Sequence, residues 1–275
     1  MTALDQADYD FLSANGRLGA SSGHYFTHLD QPIGVWNYIR IANSIARQIT
    51  AGHILDWGCG YGQMTYLLRR RGFRVTSYDL GTPDTPMPDI PLSRGLDIVR
   101  TTHPTHLPFD DATFDAAFSM FGLMFFPDRK RGFAEIYRTL KPGGSIAVTS
   151  WAPVDQSPAM QTMFGALRAI KPDLPQPQRS ISTLENPDVF RQEMQDAGFR
   201  NVEIRLVTKP FPVNSIPDFW EFMVRGSAPI QMLKKNMGEA AWREKEPLAL
   251  DYLKERLPLL PTELTSDAWL GVGVK

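Results

Sequence analysis

The sequence predicts an α/β fold built on parallel strands, and three observations carry that expectation. A short apolar run, "HILDW", leads into a glycine-rich loop and then into a helix-spaced stripe of Met64, Leu67 and Leu68 closed by Gly72. A second strand-like run, "FRVTSYDL", follows directly, so two strands and the helix between them form a βαβ unit whose strands must be parallel and right-handedly connected. Beyond it, strand-like and helix-like segments keep alternating to about residue 150.

Each element has its own local reason. Ahead of the first strand, Val35, Ile39, Ala42, Ala46 and Ile49 recur at helical spacing, and Gly52 ends that helix. After the second strand, "GTPDTPMPDIPLS" carries four prolines and a glycine, which marks a loop and leaves the next helix shortened. "LDIVR" reads as a third strand, "FDAAFSMF" as a fourth and "GSIAVTSWA" as a fifth. Between the last two lies a helix that Asp128 caps, with Phe133, Ile136, Tyr137 and Leu140 as its buried stripe and Pro142-Gly143-Gly144 as its stop. A proline-rich loop at 171–177 precedes an amphipathic helix, "NPDVFRQEMQDAGF", an alternating strand, "NVEIRLV", and a closing strand, "AWLGVGVK". The mostly helical stretch from about Pro210 to Ser266, with Trp220, Phe222, Met223, Met232 and Trp242, is too long for a hairpin turn and is expected as an inserted cap over the sheet's working edge.

Composition narrows the function. The 275 residues are 43% hydrophobic with a formal net charge of −1, ample for a globular core and without the positive field that nucleic acid or an anionic membrane would attract. The single cysteine, Cys59, excludes an internal disulfide and a four-cysteine zinc site. The start, "MTALDQADYD", is acidic and polar where a signal peptide would be basic then apolar, and no run approaches the roughly 20 apolar residues of a membrane span. A cytoplasmic protein with a small-molecule substrate and no stable membrane association is the expectation, with the oligomeric state open.

The loop "ILDWGCGYGQ" then decides between ligands. A Walker loop needs Lys after its glycines, and none follows. The dinucleotide fingerprint G-x-G-x-x-G fails by one residue, since Gln63 stands at its sixth position and Gly62 comes early. Asp56, two residues before Gly58, would repel a pyrophosphate but suits a cation. S-adenosylmethionine, with a sulfonium and an ammonium group, fits an acid at a strand end beside a glycine turn. Asp79 ends the second strand 21 positions after Gly58, where an acid that grips ribose hydroxyls belongs.

Over roughly 50–152 the chain resembles class I S-adenosylmethionine-dependent methyltransferases, in particular the branch like the quinone-biosynthesis C-methyltransferases. Four motifs in that family's order carry the resemblance: "ILDWGCGYG", "VTSYDL", "LPFDDATFDAAFSMFGLMFF" and "EIYRTLKPGGSIAVTSWA". The resemblance implies a Rossmann-like doubly wound sheet of seven strands, order 3-2-1-4-5-7-6, with strand 7 antiparallel. It divides the chain into an N-terminal helical lid or extension (1–50), a core (51–209), a helical substrate cap (210–266) and a final core strand (267–275). It implies that Gly58, Gly60 and Gly62, with Asp56 and Cys59 in the same loop, line the methionine half of S-adenosylmethionine, Asp79 the ribose, Leu80 the adenine face and Leu107 its flank. Ser119, Met120 and Phe121 would lie near the sulfonium. One position departs: relatives commonly carry an acid four residues before Leu-Pro-Phe to accept from the adenine amine, and here it is His103, so either its neutral ring nitrogen or a backbone group does that work. In relatives the segment before the core folds over the cofactor, which marks Tyr25, Phe26 and Trp36 as lid residues, although an ordinary packed helical extension reads the same.

Other signals point to no second chemistry. Tyr137 and Lys141 satisfy the Y-x-x-x-K of short-chain dehydrogenases, but Lys141 abuts Pro142 and Tyr137 lies on an apolar stripe. Cys59 sits where a helix N-terminus lowers a thiol pKa, yet a residue between such glycines more often points into the sheet. The five histidines form no metal spacing. The basic runs "RRRG" and "DRKRG" read as solvated helix faces. The expected activity is in-line methyl transfer to an O, N or C atom of a small acceptor, apolar or aromatic if the cap forms a pocket, with S-adenosylhomocysteine as product. An acceptor that must lose a proton needs a base, for which His24, His28 or a cap carboxylate are the candidates. The competing expectations are a non-catalytic binder of the same cofactor and a nicotinamide-dependent oxidoreductase.

Overall fold

The computed structural model describes residues 2–21, 29, 32–49, 52–81, 87–103, 106–126, 128–175 and 183–275. In chain order the elements are α1 (Ala3–Ser21), α2 (Pro32–Gln48), β1 (His53–Trp57), α3 (Gln63–Arg69), β2 (Arg74–Leu80), α4 (Pro91–Arg94), β3 (Ile98–Thr101), β4 (Phe114–Met120), α5 (Arg129–Thr139) and β5 (Leu140–Trp151). They continue with α6 (Pro158–Ile170), α7 (Pro187–Asp196), β6 (Arg200–Val213), α8 (Ile216–Gly226), α9 (Ala228–Met237), α10 (Glu239–Arg256) and β7 (Thr262–Val274).

The strands form one sheet in the order β3-β2-β1-β4-β5-β7-β6. β1 pairs in parallel with β2 and β4, β2 with β3, and β4 with β5. β7 runs the other way: the Gly143 N–H donates to the Lys275 carbonyl and the Lys275 N–H to that of Gly144 at the start of β5, whereas the Ala152 N–H just past its end donates to Asp267. The expected order and the reversed seventh strand are both present.

Contacts divide the chain into two units. One comprises Met1–Trp151, Ile181–Arg205 and Trp269–Lys275. Side chains alternate across its strands, so Leu55 and Trp57 of β1 face a core with Phe133 and Ile136 of α5 and Phe190 and Met194 of α7, while Ile54 faces a second core with Ile39 of α2 and Leu67 and Leu68 of α3. Full burial of each such side chain is worth about 1.5–3 kcal/mol. On the second face α1 is held by charge as well. Arg71, just beyond α3, donates to Asp8 at 2.8 Å, to Asn43 at 2.7 Å and to Asp5 at 3.3 Å, and Arg70 donates to Asp8 at 3.1 Å. The Asp8 side chain is 0% exposed, and the Asn43 amide on Asp5 is the first of the bonds that lower the Asp5 carboxyl to about 2.

The other unit, Ala152–Ser180 and Leu206–Ala268, is mostly helical. Its core joins Met163 and Leu167 of α6 to Phe219 and Trp220 of α8 and to Trp242 and Leu253 of α10, with the two indoles stacked at 6.0 Å. Among the described residues no helix is long and apolar enough to cross a membrane.

One boundary differs from expectation. Asp128 caps α5 as predicted, its Oδ1 accepting the Arg131 N–H at 3.0 Å, but the helix ends at Thr139, and Leu140 is already extended at the start of β5. Pro142, Gly143 and Gly144 therefore lie in the strand, where the register to β4 shifts between Phe114 and Ala116. Backbone pairing with the end of β7 is what draws the turn into the sheet.

Candidate functional site

β1 ends at Trp57, and the chain must turn at once to enter α3 on the face above. Three glycines make that turn in the left-handed region, with φ of 76° at Gly58, 55° at Gly60 and 81° at Gly62. The Gly58 and Cys59 N–H groups both donate to the Tyr78 carbonyl of β2, at 2.8 and 3.1 Å, and the Gly62 N–H donates to Cys59, at 2.8 Å. What surrounds each glycine separates their roles. A Cβ on Gly62 would meet Leu96 Cδ1 at 2.0 Å and one on Gly58 the Gly122 Cα at 3.2 Å, but a Cβ on Gly60 would meet nothing within 4 Å. Gly58 and Gly62 are needed for packing, and Gly60 faces open space.

Two carboxylates flank the turn. Asp79, at the end of β2, accepts the Gly60 N–H on Oδ2 and the Leu80 N–H on Oδ1, both at 2.8 Å. Burial pushes its carboxyl upward against those two backbone bonds and the charge of Arg100. Asp56 lies under the loop, 3% exposed, and accepts from the Thr65 hydroxyl of α3 at 2.7 Å, which lies 2.8 Å from the Ser77 hydroxyl of β2. Burial raises the Asp56 carboxyl to about 7, with the charge of Asp79 adding to it and hydrogen bonds from Thr65 opposing it. Cys59 is buried as well, and the same desolvation pushes its thiol upward, away from thiolate chemistry.

At the start of α3, Gln63 donates through Nε2 to the Tyr38 hydroxyl of α2 at 3.1 Å. The residue is 8% exposed and its Oε1 has no hydrogen-bond partner. Exchanging the amide nitrogen and oxygen leaves the same count, one amide atom committed to Tyr38 and one unspent. Burial pushes the Tyr38 phenol up to about 12, so it remains a neutral hydroxyl.

Next to the turn, β4 ends at Met120. Ser119 is buried and its Oγ accepts the Leu123 N–H at 3.0 Å, opening the short 3-10 turn Leu123–Phe125. Phe121 has φ of 57°, a left-handed conformation that costs a residue with a Cβ about 1–2 kcal/mol. Its N–H donates to the Thr149 hydroxyl at 3.0 Å, and its ring stacks on Trp151 at 4.2 Å and 22°. Gly122 then lies against the loop, where a Cβ would be 3.4 Å from the Gly58 Cα.

The remaining expected residues are more dispersed. Leu80 is half-exposed beside Asp79, and His103 is exposed, its carbonyl accepting from the Tyr78 hydroxyl at 3.4 Å. Leu107 is fully buried in the core; Glu135 accepts its N–H at 2.9 Å, and Arg138 donates to the carbonyls of Leu107 and Phe109, which clamps that loop to α5. Trp36 stacks on Tyr9 of α1 at 4.8 Å. His24, Tyr25, Phe26 and His28 lie outside the described residues. Tyr137 and Lys141 are separated: the ring packs edge-on against Phe199, and the ammonium pairs with Asp115 at 2.7 Å. Sequence reading missed Gln63, Tyr38 and Gly122 as neighbours of the turn, and Trp151 as the partner of Phe121. Gln63 was available from its place directly after the last glycine, whereas the others are placed only by the fold.

Residues 55–148 match a family described as a methyltransferase domain. The chain is 28% identical over 166 residues to a glycine/sarcosine/dimethylglycine N-methyltransferase of Actinopolyspora halophila, which covers 58% of this chain but only 28% of that protein. It is 29% identical over 185 residues to a demethylmenaquinone methyltransferase of Clavibacter sepedonicus, covering 62% and 74% of the two. A phosphoethanolamine N-methyltransferase of Haemonchus contortus, solved with phosphomonomethylethanolamine and S-adenosylhomocysteine, superposes with a TM-score of 0.48 at 17% identity, over 88% of this chain and 53% of that one.

Proposed function

We propose that this chain, which carries a methyltransferase domain over residues 55–148, binds S-adenosylmethionine at the β1–α3 turn and transfers its methyl group to a small molecule. The observation that carries the reading is a turn built on three left-handed glycines, open at Gly60, between two acids, Asp56 beneath it and Asp79 on its N–H. A phosphate entering there would meet two carboxyl groups, whereas a cationic ligand is stabilised by Asp79 and favours ionisation of the buried Asp56.

The residues present fit that cofactor. Each Asp79 oxygen already accepts one backbone N–H and keeps a lone pair for a ribose hydroxyl. The unspent Gln63 Oε1 is a buried acceptor that an ammonium group would satisfy. Gly60 lets the ligand reach the main chain without meeting a Cβ. Leu80 is exposed enough to offer a flat ligand an apolar face, and the Leu107 loop, clamped by Glu135 and Arg138, gives adenine a fixed edge. When bound, S-adenosylmethionine supplies an electrophilic methyl on a good leaving group. The protein's part is then to position the acceptor and exclude water. Cys59 takes no part as a nucleophile, and a base is needed only if the acceptor must lose a proton. A cytoplasmic setting and the absence of a nucleic-acid partner belong to the same proposal.

Titration calorimetry with S-adenosylmethionine and S-adenosylhomocysteine tests the ligand, and release of S-adenosylhomocysteine with a panel of amines, phenols and quinols tests the transfer. Failure of both ligands to bind would defeat the reading, and binding of NADH in their place would put a nicotinamide enzyme ahead of it. Tight binding without turnover on any acceptor class would leave a cofactor-binding protein.

A further inference from the structure

Resting on that reading, we propose that the Phe121–Trp151 stack is the wall of the acceptor site and selects a flat, aromatic acceptor. The argument begins with a residue in the wrong conformation for its type. At φ of 57° Phe121 holds a left-handed backbone that glycine or asparagine adopts with less strain. Its N–H is fixed there by the Thr149 hydroxyl. The ring is only half-buried, so core packing does not explain it; what the conformation achieves is to lay the ring on Trp151 at 4.2 Å. Strain held at one residue beside a ligand turn marks a side chain aimed for use.

Location joins this pair to the reaction. Phe121 is one residue from Gly122, which lies against Gly58 of the turn. β4 and β5 are parallel neighbours with Met120 opposite Thr149, so both rings emerge at the same end of the sheet as the turn. Chemistry then names the occupant. The run Ser119–Phe126, "SMFGLMFF", has no charged side chain, and Phe125 is 74% exposed. The two stacked rings give an amino-acid carboxylate no counter-charge, but they receive another ring by offset or edge-on packing.

The test uses Phe121→Asn, which keeps the left-handed backbone and removes the ring, and Trp151→Leu, with 1-naphthol, catechol and sarcosine as acceptors in the full-length protein. We expect Phe121→Asn to melt at or above the wild-type temperature and Trp151→Leu to bind S-adenosylhomocysteine unchanged. The KM of Phe121→Asn for 1-naphthol or catechol should rise about tenfold, the size of one lost aromatic contact with its buried area, with kcat moving less. Trp151→Leu should shift KM in the same direction. A lower melting temperature with an unmoved KM would assign the stack to stability and overturn the proposal. Turnover of sarcosine in preference to both aromatic acceptors, or of none of the three, would overturn it also. Wild-type protein that binds neither S-adenosylmethionine nor S-adenosylhomocysteine would instead remove the methyltransferase reading, and the acceptor wall with it.

Discussion

Replacing Asp56 by Asn should make the protein more stable, and increasingly so as pH rises. The carboxyl is 3% exposed and its folded pKa is about 7, against an ordinary value of 3.8. The folded state therefore holds the proton more tightly than the unfolded chain does. Stability is undiminished below pH 3.8, falls as pH rises through the interval, and stays lower above pH 7. At 1.36 kcal/mol per pH unit the interval is worth about 4 kcal/mol. Asn carries no charge to desolvate, and the hydroxyl pair beneath it can reverse: an amide N–H donates to Thr65, whose own proton turns to Ser77. Urea denaturation of both proteins at pH steps between about 4 and 8 isolates the effect, because within that range the groups other than Asp56 and the Asp79 coupled to it titrate alike in the two. The gap should be near zero at pH 4 and open to about 4 kcal/mol at pH 8. A gap that does not change with pH would refute the buried, proton-holding carboxyl.

Three further outcomes follow from other parts of the structure. Arg71→Met should cost about 3–5 kcal/mol by leaving Asp8 buried opposite Arg70 alone, and Asp8→Asn in the same chain should restore much of it; losses that simply add in a double-mutant cycle would show no coupling. Gly60→Ala and Gly62→Ala should separate binding from folding. The Gly62 variant, with a Cβ 2.0 Å from Leu96, should lose about 2 kcal/mol or more of stability, while the Gly60 variant stays within about 1–2 kcal/mol and loses S-adenosylhomocysteine affinity in calorimetry; unchanged affinity would remove the ligand from that turn. Native protein at pH 8 should resist alkylation by iodoacetamide at Cys59, with mass spectrometry detecting labelling only after denaturation; rapid labelling of the folded chain would contradict a buried, protonated thiol.

The central sheet was legible because its signals are local. Strand length, the glycine turn and the helical stripe of Met64, Leu67 and Leu68 all lie within a few residues of the element they define. The same locality exposed Asp56 and Asp79, whose places follow from strand ends. α1 was not legible as a defined helix, because its buried side carries Asp5 and Asp8 where a core-facing stripe would be apolar, and the cations that make this tolerable follow α3. α6 was overlooked although Met163, Ala166, Leu167 and Ile170 give it an ordinary buried stripe after a proline at its first turn. The stop expected at Pro142-Gly143-Gly144 failed for a different reason, since the bonds that turn it into strand come from the end of the chain. Within the site, the Phe121–Trp151 stack and the Gln63–Tyr38 bond arise from packing across neighbouring elements, which periodicity does not register.

The Arg71 network also has a consequence in time. Asp8 leaves the ribosome 63 residues ahead of the guanidinium that neutralises it. At about 5–20 residues per second, α1 waits roughly 3–13 seconds before it can dock, and until then its acidic side belongs in water. The family match begins only at residue 55, yet the first charges needed to close the structure over α3 are made at Asp5 and Asp8. A chain trimmed to the matching segment would keep Arg71 and lose both acids, so the stretch that homology recognises is shorter than the stretch that must fold together.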